Sequence, residues 1–214
     1  MEITWYGYTC FGVKTKTGSV VMDPYKDEVG LKMPDLKANA VIFSNEKSTL
    51  NNAAAVADEP KVLTWPGEYE VSGIAITAME LTAPEGEKKE TVKPMIYTFD
   101  AEGMKVCYIS DYSLPVTDEL METIGDVDVL VVPVGKEKAN YDEIHKTIEE
   151  IEPRIVIPIY YKTAGLKVDA GDPAIFLKKA GLGNVTPREK FSANSKSELP
   201  QEKTEFVVLA PQTE

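Results

Sequence analysis

Val127-Asp128-Val129-Leu130-Val131-Val132-Pro133-Val134-Gly135 is a nearly unbroken apolar run. Its 128–133 portion has the short continuous pattern of a buried strand. Downstream, residues 140–151 set Ile144, Ile148 and Ile151 at spacings of four and three, with Asp142, Glu143, Lys146, Glu149 and Glu150 facing water, the stripe of an amphipathic helix. Arg154-Ile155-Val156-Ile157-Pro158-Ile159 repeats the strand pattern, a helix follows over 172–180, and Glu205 to Leu209 reads as a last strand. With a further helix at 117–124, the second half alternates strand and helix in the rhythm of βαβ units.

The first half is built differently. Residues 1–6, 10–15 and 18–23 cluster β-branched and aromatic side chains around Gly7 and the Lys16-Thr17-Gly18 turn, an opening antiparallel meander. Ala40 to Ser44 is a short apolar strand of the kind covered on both faces, and Asn51 to Ala57 reads as a short helix. Strands at 61–64 and 73–82 flank the turn-rich Trp65-Pro66-Gly67-Glu68-Tyr69, and Pro84 to Lys93 reads as a charged surface loop. Met95 to Asp100 and Met104 to Ser110 form a hairpin through Ala101-Glu102-Gly103. Antiparallel strands first and alternation afterwards, with no linker or repeat, describe a single αβ domain over residues 1–214, sheets inside and helices outside.

Composition narrows the function classes. Lys plus Arg is 23 against 35 for Asp plus Glu, a net charge of −12 that repels phosphate backbones and anionic lipid, so neither nucleic acid nor a membrane is an expected partner. No apolar run reaches the roughly 20 residues of a membrane helix, and the opening residues carry no secretory pattern, which makes the cytoplasm the expected location. Cys10 and Cys107 have no metal-type spacing and read as buried free thiols, with a disulfide as the alternative. The chain has one histidine, His145, placed mid-helix.

Three segments resemble the metallo-β-lactamase fold, in its branch of small metal-dependent hydrolases of the ascorbate-phosphate lactonase type. Trp5-Tyr6-Gly7-Tyr8-Thr9-Cys10-Phe11 followed by Val20-Val21-Met22-Asp23-Pro24 is similar to the family's W-x-G-H-[ST]-C-F and [IL]-D-P opening. Pro66-Gly67-Glu68-Tyr69-Glu70-Val71-Ser72-Gly73 resembles its P-G-E-Y-E-x-x-G turn. Val127 to Gly135 with Ile151 to Thr163 resembles its VD-x-L-x-x-P-[IV]-G and PR-[IV]-[VI]-IP-[MI]-HYKT segments. The resemblance implies an α/β, four-layer αβ/βα sandwich and a dinuclear zinc site at the strand ends.

The ligand positions depart from that pattern. The family's His-x-His-x-Asp-His falls on Asn45-Glu46-Lys47-Ser48-Thr49-Leu50, its other histidines fall on Tyr8, Leu114 and Tyr160, and only Asp111 keeps a ligand identity. Zinc in a hydrolytic site takes about three imidazole, thiolate or carboxylate ligands and an open position for water. The expectation is therefore a lost zinc site, no cofactor, no catalytic residue, and a non-hydrolytic binding or scaffold protein. Its pocket would be lined by Tyr8, Asn45, Glu46, Lys47, Asp111, Tyr112, Tyr160 and Lys162, and would either hold a small polar molecule or be plugged by the tyrosines. Lys47 is expected to pair with Asp111 in place of the metal. The rival reading is a hydrolase of lactone, ester or phosphoester substrates with an altered site, using an oxygen-ligated metal at Asp111 and Glu46, with Glu68 as a further donor, or a Tyr160–Lys47 acid–base pair. A homo-oligomer is a third possibility.

Overall fold

In the computed structural model the described residues are 1–81, 95–110, 117–135, 141–183 and 185–214. The first half supplies β1 (Glu2–Trp5), β2 (Phe11–Lys14), β3 (Ser19–Met22), β4 (Leu36–Lys37), β5 (Ala40–Ile42), β6 (Val56–Ala57), β7 (Lys61–Leu63), β8 (Gly67–Val71) and β9 (Ile74–Glu80). The second supplies β10 (Met95–Ala101), β11 (Met104–Ile109), α1 (Asp118–Ile124), β12 (Val129–Pro133), α2 (Tyr141–Ile151), β13 (Ile155–Ile159), α3 (Pro173–Lys179), β14 (Phe191–Ser192) and β15 (Glu205–Phe206). A six-stranded sheet runs β14-β1-β2-β3-β5-β7 and a seven-stranded sheet runs β15-β13-β12-β11-β10-β9-β8. The β1–β2–β3 meander is antiparallel, whereas β11, β12, β13 and β15 are parallel, as the change of sequence rhythm at residue 110 requires.

The pleat sorts side chains between two apolar layers. Val20, Ala40 and Ile42 join the large core, while their neighbours Val21 and Val41 join a second cluster with Cys10, Tyr25, Val29, Leu31 and Phe43. Phe11 of one sheet meets Phe99 and Tyr108 of the other edge-on, at centroid distances of 6.5 and 5.1 Å, so the sheets interlock through aromatic rings. Ile144 of α2 and Phe176 of α3 are fully buried in the large core. Local signals start the helices: the Thr117 hydroxyl accepts from Leu120 N–H, and the Asp172 carboxylate accepts from Ala174 N–H with Pro173 in the first turn. His145 lies on α2, stacked on Phe176 at 4.9 Å. The result is the αβ/βα sandwich that the resemblance implied; among the described residues, 3₁₀ turns and loops cover the outer face of the six-stranded sheet.

Three local expectations are corrected. The segment expected to be a helix over 51–57 is a 3₁₀ turn, Ala53–Ala55, leading into β6, because three alanines offer no apolar stripe while Val56 is buried beside Leu36 in a parallel pair. The turn-rich 65–69 segment becomes strand from Gly67, pairing with β9 through a two-residue hairpin at Ser72 and Gly73, whose φ values of 50° and 81° suit a primed turn. The last strand ends at Phe206, although Val207 N–H still donates to Val156 C=O. The expected loop from Pro84 to Lys93 lies outside the described residues.

Phe176 touches Tyr141, His145 and Phe206 and is 0% exposed. Phe176→Ala is expected to lower the unfolding free energy by about 3–5 kcal/mol, read as a reduced urea midpoint at unchanged slope.

Candidate functional site

At the C-terminal ends of β1, β3, β5 and β13 the chain closes a small cavity of about 180 Å³, lined among others by Tyr8, Asp23, Ser44, Asn45, Asn51 and Tyr160. Ligands in open α/β folds collect at this end of the strands. A larger hollow of about 920 Å³, bordered by Asp128, His145, Arg154 and Lys196, lies at the opposite ends of β12 and β13. There Asp128 is held by Lys196 at 3.0 Å and Arg154 at 3.4 Å, an arrangement that ties the C-terminal segment to the sheet.

Three non-glycine residues of the small cavity have left-handed backbone: Tyr8 (φ 50°), Asp23 (φ 46°) and Tyr160 (φ 52°). Each follows a strand and turns its side chain toward the same space. Such conformations cost about 1–3 kcal/mol apiece and persist only where surrounding contacts fix them. The contacts here are specific. Tyr8 C=O accepts from the Trp5 indole N–H and from Tyr160 N–H, both at 3.0 Å, joining the ends of β1 and β13. Asp23 N–H donates to Ile42 C=O at 2.8 Å, and its carboxylate accepts from Ser44 N–H at 2.7 Å and Ser44 Oγ–H at 2.6 Å, joining β3 to β5. Gly135 is the backing: a Cβ there would sit 1.9 Å from Tyr160 O, so only glycine lets the chain leaving β12 pass so close.

The Tyr8 ring meets Tyr160 edge-on at 4.8 Å and Tyr25 at 6.1 Å. Burial, and then the Asp23 carboxylate, raise the Tyr8 phenol above its ordinary range, with a hydrogen bond to Tyr160 acting the other way. Tyr8 is thus a neutral hydrogen-bond donor at neutral pH. The loop from Asn45 is fixed by Asn45 Oδ1 accepting from Lys47 N–H and by Asn51 Nδ2–H donating to Asn45 C=O at 2.8 Å.

Of the residues singled out from sequence, Tyr8, Asn45 and Tyr160 come together on the cavity wall. Glu46, Lys47 and Lys162 are exposed and outside that wall, as is Glu68 on β8. Asp111 and Tyr112 lie outside the described residues, and the Lys47–Asp111 pair with them. The tyrosines narrow the cavity without filling it. Sequence reasoning took Asp23 for a strand-end brace and passed over Ser44 and Asn51; the D-P step after β3 was the available signal for the first, and nothing local marks the other two.

A zinc centre of the kind the fold houses takes imidazole, thiolate or carboxylate donors in groups of three or more. Among the described residues no three such side chains gather. At the mouth the described donors are phenols, amides, hydroxyls and one carboxylate engaged with Ser44. This set does not fit the group.

A model of the Beta-lactamase superfamily domain matches residues 2–160. A UPF0173 protein of Pyrococcus abyssi is 29% identical over 187 residues, 77% of this chain and 85% of that protein. A UPF0173 metal-dependent hydrolase of Methanocaldococcus jannaschii is 25% identical over 216 residues, 87% of this chain and 96% of that one. Among solved structures, a Thermotoga maritima protein of the metallo-beta-lactamase superfamily, there proposed as a Zn-dependent hydrolase, superposes with a TM-score of 0.76 at 26% identity, covering 97% of each chain. These relatives overturn two expectations from sequence. A non-hydrolytic scaffold and the absence of a cofactor both followed from counting lost histidines, yet proteins similar over most of their length are named metal-dependent hydrolases.

Neither thiol serves the site. Cys10 and Cys107 are free and fully buried, and burial pushes the Cys107 thiol from its ordinary 9.0 up to about 12 and raises Cys10 as well. Because the folded pKa lies above the unfolded one, the folded chain keeps a proton that the unfolded chain releases; stability is intact below pH 9 and falls as pH rises toward 12. Urea unfolding at pH 10.5 is expected to give a free energy lower than at pH 8 by about 2 kcal/mol from Cys107 alone, with no reaction of either thiol with a disulfide reagent until unfolding.

Proposed function

The chain belongs to the beta-lactamase superfamily, and on that premise we propose that it is a hydrolase with an altered site, acting on a small uncharged lactone or ester at the mouth between Tyr8, Asp23 and Tyr160. The observation that carries this reading is the convergence of three strained strand ends on one cavity. Strain of this kind, held in place by matched hydrogen bonds, is what a preorganised catalytic site requires. The hydrolase names of the relatives support the reaction class.

Size and charge support the substrate class. At about 180 Å³ the cavity is below the range of drug-sized ligand sites, so the substrate is compact. Its described lining contains no cation and one carboxylate, Asp23, which disfavours the phosphoester alternative because transferring phosphoryl groups need Arg, Lys or metal clamps. The small polar partner expected from sequence becomes this substrate. A cytoplasmic location accords with two free buried thiols; among the described residues no helix is long and apolar enough to cross a membrane.

The roles follow from the geometry. The neutral phenols of Tyr8 and Tyr160 donate to the carbonyl oxygen as it gains negative charge. Asp23 is the base that takes a proton from an attacking water, and Ser44, bound to it through both N–H and Oγ–H, fixes its orientation. Asn45 orients the substrate from the wall opposite the tyrosines. A metal bound by relatives supplies Lewis acidity and an activated water; because the described donors do not fit such a centre, these roles are those of the chain's own residues.

The test is hydrolysis of a panel of small lactones and acyl esters by purified protein, with EDTA and with added Zn²⁺ or Mn²⁺. Turnover is expected, reduced about 10²-fold or more by Asp23→Asn and about 10²-fold by Tyr160→Phe. Melting curves separate lost catalysis from lost folding. No turnover in any metal condition, or turnover indifferent to both substitutions in folded protein, refutes the assignment.

A further inference from the structure

The two sheets end together on one side of the sandwich. β7 is the last strand of the six-stranded sheet and β8 the last of the seven-stranded sheet. Ile42 and Leu63 from one, and Tyr69, Ile76, Ala78 and Tyr97 from the other, close around Trp65, so both edges belong to one margin. Both are open. Lys61 N–H donates to Asn39 C=O and Leu63 C=O accepts from Phe43 N–H, both toward β5, so alternation turns the Val62 N–H and C=O outward. On β8 the two-residue hairpin makes Val71 and Ile74 a hydrogen-bonded pair, and the same alternation turns the Glu68 and Glu70 backbone groups outward.

Large apolar groups sit at this margin: Trp65 is 69% exposed and Val62 50%. Trp65 is held rather than loose, since its C=O accepts from the Tyr69 phenol at 2.8 Å and Pro66 follows it. A preorganised, exposed tryptophan between two unpaired strand edges is the composition of an interface centre.

Charge selects the occupant. Lys61 on β7 and Glu68 and Glu70 on β8 are exposed, the Glu70 carboxylate also accepting from Gly73 N–H. A two-fold axis that sets β8 beside its own copy brings four carboxylates together. A two-fold that sets β7 of one copy beside β8 of the other places Lys61 against Glu68 and Glu70 twice over, continues both sheets across the join and encloses both Trp65 rings. We propose that the chain forms a symmetric homodimer of this second kind, a second copy being the one partner guaranteed to carry the complementary edges.

Sedimentation equilibrium of the full chain from 2 to 200 μM tests this. Twice the chain mass is expected at the upper concentrations. The double variant Val62→Glu, Trp65→Glu is expected to weaken association about 30-fold or more. Lys61→Glu is expected to weaken it about tenfold, and adding Glu68→Lys and Glu70→Lys to restore it to within a few-fold. All five positions are exposed and outside the catalytic cavity, and circular dichroism checks that each variant is folded. A wild type that stays monomeric to 200 μM, a dimer indifferent to the loss of Trp65, or a charge swap that fails to restore association each overturns the proposal. Since mass and hydrolysis are separate readouts, its failure leaves the catalytic assignment standing.

Discussion

One carbonyl oxygen does a disproportionate share of the architectural work. Tyr8 C=O accepts from a side chain of its own sheet, the Trp5 indole, and from Tyr160 N–H of the opposite sheet. A carbonyl with both lone pairs so engaged fixes the separation of two strand ends that no backbone ladder connects. Everything at the mouth inherits that separation: the edge-on meeting of Tyr8 with Tyr160, the width of the cavity, and the direction in which the chain leaves β13. Between β3 and β5 the Asp23–Ser44 clamp acts in the same way, in low-dielectric surroundings where a charge-assisted hydrogen bond is strong.

The replaced histidines acquire a different meaning in this setting. A metal centre and a cluster of neutral donors solve one problem, the stabilisation of negative charge developing on a substrate oxygen, by different means. Phenols hold their protons through the neutral range, more firmly here because Tyr8 is desolvated and faces Asp23. They therefore give hydrogen bonds without needing the electron-donating ligands that the described residues do not assemble. What survives the change of side chains is the strained backbone that aims them.

Much of the fold was legible because its causes are local. Val129 to Pro133 and Ile155 to Ile159 are apolar without interruption, and Ile144 and Ile148 keep helical spacing, so period alone places them. The Asn51 to Ala57 segment was misread because helix propensity in a run of alanines is a weak preference that the burial of Val56 overrides. β8 was missed because Pro66 and Gly67 punctuate its start, while its real determinant is the partner strand β9. At the site, Tyr8, Asn45 and Tyr160 were found through their neighbours in short motifs. Ser44 and Asn51 were not, since their importance arises from residues 21 and 6 positions away that only the folded chain brings near. Glu46, Lys47 and Lys162 were assigned inward because they flank the right strand ends, but long charged side chains there retain their hydration by pointing out.

The chain contains two tryptophans in opposite circumstances. Trp5 is fully enclosed, its indole hydrogen-bonded beneath the mouth and its ring 4.4 Å from Tyr161, while Trp65 stands out at the sheet margin. The molecule therefore carries two built-in fluorophores with separable emission, a blue-shifted one that iodide cannot reach and a red-shifted one open to quencher. The first senses the state of the mouth and the second senses whatever covers the edge.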